Sequence, residues 1–197
     1  MTELETDRLL VREFRSSDFD AFCQYVNSDH HWRNMPIEQP PTVADAERLF
    51  EHFLETEANN PRTEYHLAAV DKLSNEFVGA VDLCTHAVAA WRRAEIGWGI
   101  VENRAGQGLA AEMNHAMLRF AFSALGLHRV QARCRAGNHA SRRIMAKLGM
   151  REEGIIRDDM FIRGEWWSTV LGAVLSTDPL RSAILATITG EASAASR

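Results

Sequence analysis

The stretch Ala94-Glu-Ile-Gly-Trp-Gly-Ile-Val-Glu-Asn-Arg-Ala-Gly-Gln-Gly-Leu-Ala-Ala111 constrains this chain more than any other. It reads as a strand carrying one carboxylate, then a glycine turn, then the start of an amphipathic helix. Strand side chains alternate between faces, so Glu95, Gly97 and Gly99 share one face while Ile96, Trp98 and Ile100 take the other. Two glycines beside one acid leave bare backbone and an open groove next to an ionisable group. Gly106 and Gly108 then let backbone N–H groups approach a ligand at the positive end of a helix, which favours phosphate. A carboxylate groove running into a phosphate cradle suggests an enzyme that holds a phosphorylated cofactor.

The rest of the chain bounds the choice. At 197 residues, 46% hydrophobic and 25% charged, it fits one soluble domain with a real core. No apolar run approaches the roughly 20 residues of a membrane span, so no membrane partner is expected. The opening Met-Thr-Glu-Leu-Glu lacks the basic-then-apolar order of a signal peptide. Cys23, Cys84 and Cys134 are odd in number and widely spaced, which fits a reducing cytoplasm and suggests neither a disulfide frame nor a metal pair. No metal is expected, since the adjacent His30 and His31 have no third ligand near them. A net charge of −5 gives no reason to expect nucleic acid. Yet no acid occurs between Glu112 and Glu152, whereas Arg119, Arg129, Arg133, Arg135, Arg142, Arg143, Lys147 and Arg151 do. A basic segment after a phosphate-type turn points to a ligand with several negative charges; a solvated basic face is the alternative.

The hydrophobic pattern predicts seven strands and four helices. A first strand covers Arg8 to Phe14, and Ser16 or Ser17 caps a helix over Asp18 to Val26. Asn27 to Pro41 reads as a loop, long enough to face substrate. Thr42 caps a helix to about Glu57 with Ala46, Leu49, Phe50 and Phe53 inward. Tyr65 to Val70 and Glu76 to Cys84 form a hairpin, followed by a strand from Arg92 to Val101. Helix spacing then runs from Leu109 to Ala124, and His128 to Arg135 alternates as a strand, so strand, helix and strand make one parallel βαβ crossover. Asn138 caps a helix with Ala140, Ile144 and Leu148 inward. Strands near Met150 to Arg157 and Glu165 to Leu175 complete the sheet. The expected fold is therefore α+β: a single domain over residues 1–176, with a mixed, mostly antiparallel sheet of about seven strands and flanking helices. Residues 177–197, with Leu180, Ile184 and Ile188, read as a partly frayed tail.

Gly106, Gly108 and Ala111 satisfy the dinucleotide pattern G-x-G-x-x-[G/A]. Two features oppose that reading. The turn follows several antiparallel strands rather than opening a first βαβ unit, and the acid expected about 20 residues on would fall in the acid-free segment. No Gly-Lys-[Ser/Thr] follows the turn either.

Three pieces together carry a resemblance: Thr6-Asp-Arg-Leu-Leu-Val-Arg12; Glu95-Ile-Gly-Trp-Gly-Ile-Val with Gly106-Gln-Gly-Leu-Ala110; and Asn138-His-Ala-Ser-Arg-Arg-Ile-Met-Ala-Lys-Leu-Gly-Met150. In this order and spacing the chain resembles the GCN5-related N-acetyltransferases (GNAT), in the ribosomal-protein-acetylating RimJ/RimL branch. The resemblance implies acetyl-CoA as cosubstrate and a primary amine as acceptor, with a protein N-terminal amine favoured. It allows a homodimer. A small-molecule amine acetyltransferase (polyamine, aminoglycoside or amino acid) and a non-catalytic acyl-CoA-binding module are the alternatives.

By the same resemblance, Trp98, Ile100 and Val101 serve the pantetheine arm, the last two through main-chain hydrogen bonds. The amides of Gly106, Gln107, Gly108, Leu109 and Ala110 hold the pyrophosphate, and Asn138 and Lys147 meet the far part of the cofactor. The family usually has Gln or Arg just before the first glycine. Here Ala105 stands there, flanked by Arg104 and Gln107 as substitutes. An amine must lose a proton before it attacks a thioester, and Glu95 is the candidate general base. The alternative for Glu95 is an acid satisfied by Arg92, Arg93 or a sheet neighbour. The resemblance often puts a tyrosine where this chain has Met145, whereas Ser141 matches a serine of the RimL-like branch that assists the leaving thiolate. Asn138 and Ser141 could equally be ordinary residues of a helix start.

Overall fold

The computed structural model describes residues 2–178, so the Leu180, Ile184 and Ile188 segment lies outside the described residues. An eight-stranded sheet organises the chain: β1 (Glu3–Glu5), β2 (Leu9–Glu13), β3 (Glu64–Asp71), β4 (Phe77–Thr85), β5 (Arg93–Ile100), β6 (Arg129–Arg135), β7 (Arg151–Ile162) and β8 (Glu165–Leu175). Its order is β1-β2-β3-β4-β5-β6-β8-β7. All neighbours are antiparallel except β5 and β6, the parallel pair expected from the crossover. The α+β mixed sheet is as the sequence predicts, with one strand more than the seven expected. The addition is β1, a three-residue edge strand whose Glu3 and Glu5 face water.

Helices cover both faces. On one side α4 (Leu109–Ser123) buries Leu109, Met113, Met117 and Leu118, while α5 (His139–Lys147) adds Met145. These pack with Val81, Leu83, Ile96 and Val130 of the strands. On the other side α1 (Phe19–Val26) and α3 (Val43–Thr56) bring Phe22, Phe50 and Phe53 around Phe14. Thr42 caps α3 as expected, its hydroxyl accepting from the Asp45 N–H at 3.2 Å while Asp45 reaches back to the Thr42 N–H at 2.8 Å. Arg12 and Asp18, both buried, pair at 2.7 Å and fix the entry to α1.

Four local expectations need correction. Leu49 is largely exposed, because α3 turns its Phe50 and Phe53 side to the sheet. Ala140 is also exposed, and Met145 takes the inward place on α5 beside Ile144 and Leu148. The segment from Asn27 to Pro41 is not all loop: α2 (Asp29–Trp32) forms there, its start capped by Ser28. Strand β7 runs to Ile162, past the Arg157 limit, pairing with β8 through a register break between Ile156 and Met160.

Candidate active site

The parallel ladder between β5 and β6 has only three pairs: Arg93 with Arg129, Ala94 with Val130, and Glu95 with Gln131. Beyond it β5 stays paired with β4 as far as Ile100, and β6 with β8 as far as Arg135. The two strands therefore part after Glu95 and leave a wedge in the sheet. Along a strand, successive residues direct their N–H and C=O groups to alternate sides, so part of the β5 backbone from Ile96 to Ile100 faces this wedge unpaired. Trp98 and Ile100 anchor the strand, packing into the core under α4.

Glu95 sits at the closed end of the wedge. Its Oε2 accepts from Gln131 Nε2 at 3.0 Å and stands 3.6 Å from Arg133 Nε, with the side chain 46% exposed. The sheet neighbour β6 supplies these partners. Arg92 donates to the Gly126 carbonyl instead, and Arg93 lies over the Trp91 ring.

The face of Glu95, Gly97 and Gly99 looks towards α1 and α3. An added Cβ on Gly97 would stand 3.7 Å from Asp82 Oδ2, so Asp82 borders the groove. Burial, with Asp82 adding to it, pushes the Tyr25 hydroxyl well above the usual phenol range. Burial drives His31 down to about 4, leaving a neutral imidazole near neutrality. Burial also pulls on His66, but Asp82 and Glu64 bond its two nitrogens at 2.8 and 3.1 Å and hold its pKa above the ordinary value. Cys84 is pushed up to about 11 by burial and by Asp82, Glu64 and Glu95, so it remains a thiol.

At the open end, Val101 leaves β5 into a short helical turn over Glu102–Arg104. Gly106 and Gly108 take φ of +79° and +84°, a region that disfavours side chains. Gly108 is the N-cap of α4 and provides no side-chain cap, so the first N–H groups of a 15-residue helix point outwards without one. That arrangement fits an anion. Arg8, which the sequence reading left without a role, lies against this turn: its Nη1 donates to the Gln107 carbonyl at 3.1 Å, and it pairs with Glu112 at 2.6 Å. Burial opposes the charge on Glu112, but bonds from Thr6 and Arg8 keep its pKa low. The signal was present in Thr6-Asp-Arg8, but only the fold shows where it leads.

Arg104 does not reach the place beside Ala105 as a free cation. It bonds Asp71 and stands 3.6 Å from Glu76, tying the turn to the β3–β4 hairpin. Gln107 donates to the Asn103 carbonyl at 3.3 Å, and Ala105 is exposed. On α5, the Asn138 side chain accepts from the Ser141 N–H at 3.1 Å, a helix cap. The Ser141 hydroxyl has no partner among the described residues. Met145 is buried beside Cys134, whose Sγ stands 3.8 Å from its Sδ.

The basic segment is largely neutralised across the sheet. Arg129 pairs with Glu153, Arg133 with Glu95, Arg135 with Glu165, Arg142 with Glu152 and Arg151 with Asp178. Arg143 and Lys147, one turn apart on the exposed side of α5, keep their charge unpaired among the described residues.

The splayed parallel pair and uncapped helix agree with sequence comparison. The profile of the acetyltransferase (GNAT) domain matches residues 8–151. The chain belongs to this family. The acetyltransferase is 30% identical over 167 residues to the uncharacterized N-acetyltransferase YoaA of Bacillus subtilis, spanning 84% of this chain and 92% of that one. It is 23% identical over 177 residues to the [ribosomal protein uS5]-alanine N-acetyltransferase of Escherichia coli, covering 89% and 91%. Among solved structures, a GNAT-family acetyltransferase from Bacillus anthracis superposes with a TM-score of 0.78 at 26% identity, over 90% of this chain and all of that one. The fold is shared with Mycobacterium smegmatis RimJ in complex with CoA-disulfide (TM-score 0.76, 24% identity, 95% and 93% covered). It is shared too with Vibrio cholerae spermidine N-acetyltransferase in complex with CoA and spermine (0.74, 20%, 86% and 96%). The protein is thus an acetyl-CoA-dependent N-acetyltransferase of the GNAT family.

Proposed function

We propose that the acetyltransferase moves an acetyl group directly from acetyl-CoA to a protein N-terminal amine of the ribosomal type, with Glu95 as general base. The observation that carries the mechanism is the wedge between β5 and β6, with Glu95 at its closed end and the uncapped α4 start beyond its open end. In this reading acetyl-CoA supplies an activated acyl thioester. Trp98 and Ile100 line its arm, Ile100 through the unpaired β5 edge. The main-chain bonds expected of Val101 are already taken, since its N–H donates to the Val78 carbonyl at 3.0 Å and its carbonyl accepts from the Arg104 N–H at 3.0 Å. Val101 therefore contributes only its position beside the arm. The amides of Gly106, Gln107, Gly108, Leu109 and Ala110 hold its pyrophosphate. Because Arg104 is engaged with Asp71, Arg8 supports the turn from below, and the small Ala105 leaves the holding to backbone. Lys147, with Arg143 beside it on α5, takes the outlying phosphate, and Asn138 orders the helix that presents them.

Glu95 accepts the proton of the incoming amine. Gln131 and Arg133 hold its carboxylate in place at the wedge without burying it. An N-terminal amine suits this modest base, since its ordinary pKa is about 7.7–8.0 against about 10.4 for lysine. Glu64, Asp82 and Glu95 share the acceptor face of the sheet and favour a cationic acceptor. Ser141, whose hydroxyl is free, donates to the departing thiolate. The thiol of Cys84 takes no part. The name of the E. coli relative supports a ribosomal N-terminus as acceptor. A cytoplasmic setting belongs to the same reading and rests on that acceptor and on three free cysteines.

The Vibrio spermidine acetyltransferase shares the fold and gives weight to a small polyamine as second reading. The test is thiol release from acetyl-CoA with peptides copying ribosomal-protein N-termini, their N-acetylated forms, and a panel of polyamines, aminoglycosides and amino acids. The proposal expects turnover with free N-termini only. Turnover confined to small amines would replace it with the second reading, and acetyl-CoA binding without thiol release would favour a binding module.

A further inference from the structure

We infer that His52, Glu64 and His66 form a binding site for a divalent transition metal of the zinc class. The three side chains come from two elements on the acceptor face of the sheet: His52 from α3, and Glu64 and His66 from one side of β3. His52 Nε2 stands 2.9 Å from Glu64 Oε2, and His66 Nε2 stands 3.1 Å from the same oxygen. All three ligand atoms lie within 4.8 Å of one another. Donor atoms on tetrahedral zinc stand about 3.3 Å apart, so small side-chain rotations would seat an ion among them.

The surroundings are those of a prepared site. His66 is 7% exposed, and its other nitrogen, Nδ1, lies 2.8 Å from Asp82 Oδ1. A carboxylate behind a ligating histidine fixes its tautomer and raises its basicity. The Phe53 ring stacks on the same imidazole at 4.1 Å and 13°, so its Nε2 is aimed by contacts on the ring's edge and face. His52 and Glu64 are 49% and 37% exposed, which provides an entry path and leaves a fourth position open to water. Two imidazoles and one carboxylate suit zinc, cobalt or nickel rather than magnesium or calcium.

Such an ion would join α3 to β3. Cross-strand register places Glu64 opposite Cys84 and Cys84 opposite Glu95, so the ion lies about 10 Å, two strand spacings, from Glu95. Occupancy would therefore fix the helix that covers the acceptor face without touching the transfer itself. The site departs from the expected absence of metal, and the separation of His52 and Glu64 by twelve positions explains why the sequence did not show it. It stands independently of the acceptor proposed above.

The test is titration of the metal-free, full-length protein with cobalt(II), followed by its visible absorption, and displacement by zinc(II). The site predicts tetrahedral-type bands that saturate at about one equivalent and vanish on adding zinc. His52→Ala and Glu64→Gln, checked for folding by circular dichroism, should each weaken binding at least about 10-fold. His86→Ala, outside the cluster, should leave the titration unchanged. Absence of the bands in the unaltered protein would overturn the inference, as would bands that persist undiminished in both cluster variants.

Discussion

Tyr25 and Gly99 interlock: the Tyr25 hydroxyl stands 1.6 Å from the point that a Cβ on Gly99 would occupy. The glycine thus lets α1 press its buried aromatic ring directly onto β5, at the side of the wedge. This contact sets how closely α1 approaches β5. Gly99→Ala must move the ring, since Tyr25 is 5% exposed and packed against Phe22, Phe77 and His31. We expect a loss of about 1–3 kcal/mol in urea unfolding, together with a lower kcat. An unchanged unfolding midpoint would show that the ring adapts without cost.

Asn138 and Ser141 separate a cap from a catalytic donor. Asn138→Ala removes the acceptor for the Ser141 N–H and should cost about 1 kcal/mol of stability. Ser141→Ala leaves that bond in place, so its unfolding midpoint should stay within about 0.5 kcal/mol of the parent. Its kcat should fall, most with acceptors for which thiolate departure limits the rate. A Ser141→Ala enzyme of full activity would reduce the residue to part of a helix start.

Three cations of the basic segment have no ion pair among the described residues: Arg119, which donates to the Glu5 carbonyl at 3.4 Å, and Arg143 and Lys147 on the exposed side of α5, to which the proposed function gives the outlying phosphate of coenzyme A. The double variant Arg143→Ala/Lys147→Ala should raise KM for acetyl-CoA about 10-fold or more, with stronger salt dependence in the parent than in the variant. The 3′-dephospho form of the donor should bind both proteins alike. Equal loss with both donors would place the two cations elsewhere.

Two histidines, His31 half-buried and His66 buried, give opposite pH dependence. His31 has a folded pKa of about 4, below its ordinary 6.5, so the folded state binds fewer protons than the unfolded one. Its contribution is complete above about pH 6.5 and is lost as pH falls towards 4. His66 is shifted upwards, against burial, by Asp82 and Glu64; its contribution is complete below about 6.5 and is lost as pH rises through the folded value. Urea midpoints measured across this range should fall on the acid side, and His31→Gln should flatten that fall. His66→Gln should flatten the loss on the alkaline side instead.

Much of this was legible in the sequence because it is local. The alternation from Glu95 to Ile100, the Gly106 and Gly108 turn and the Thr42 and Asn138 caps all depend on neighbours within a few residues. What was not legible depends on register. The arginines from Arg129 to Arg151 read as a free basic patch, yet β7, β8 and β5 bring Glu153, Glu165, Glu152 and Glu95 to meet four of them. Arg104 read as a stand-in for the residue missing at Ala105, but Asp71, 33 residues away, takes its guanidinium. The cluster of Asp82, His66, Glu64 and His52 has no sequence signature, because one helix and two strands assemble it. Strand β1 escaped notice because a three-residue edge strand has too few positions to show alternation.

In the proposed function Glu95, at the closed end of the wedge, takes the proton from the amine. Glu95→Gln keeps the shape and an acceptor for Gln131, but replaces the carboxylate with an amide that cannot act as the base. Thiol release from acetyl-CoA with a free N-terminal peptide, measured at saturating donor, should fall about 10²- to 10⁴-fold while donor affinity stays unchanged. A variant that releases thiol at the parent rate would contradict the account.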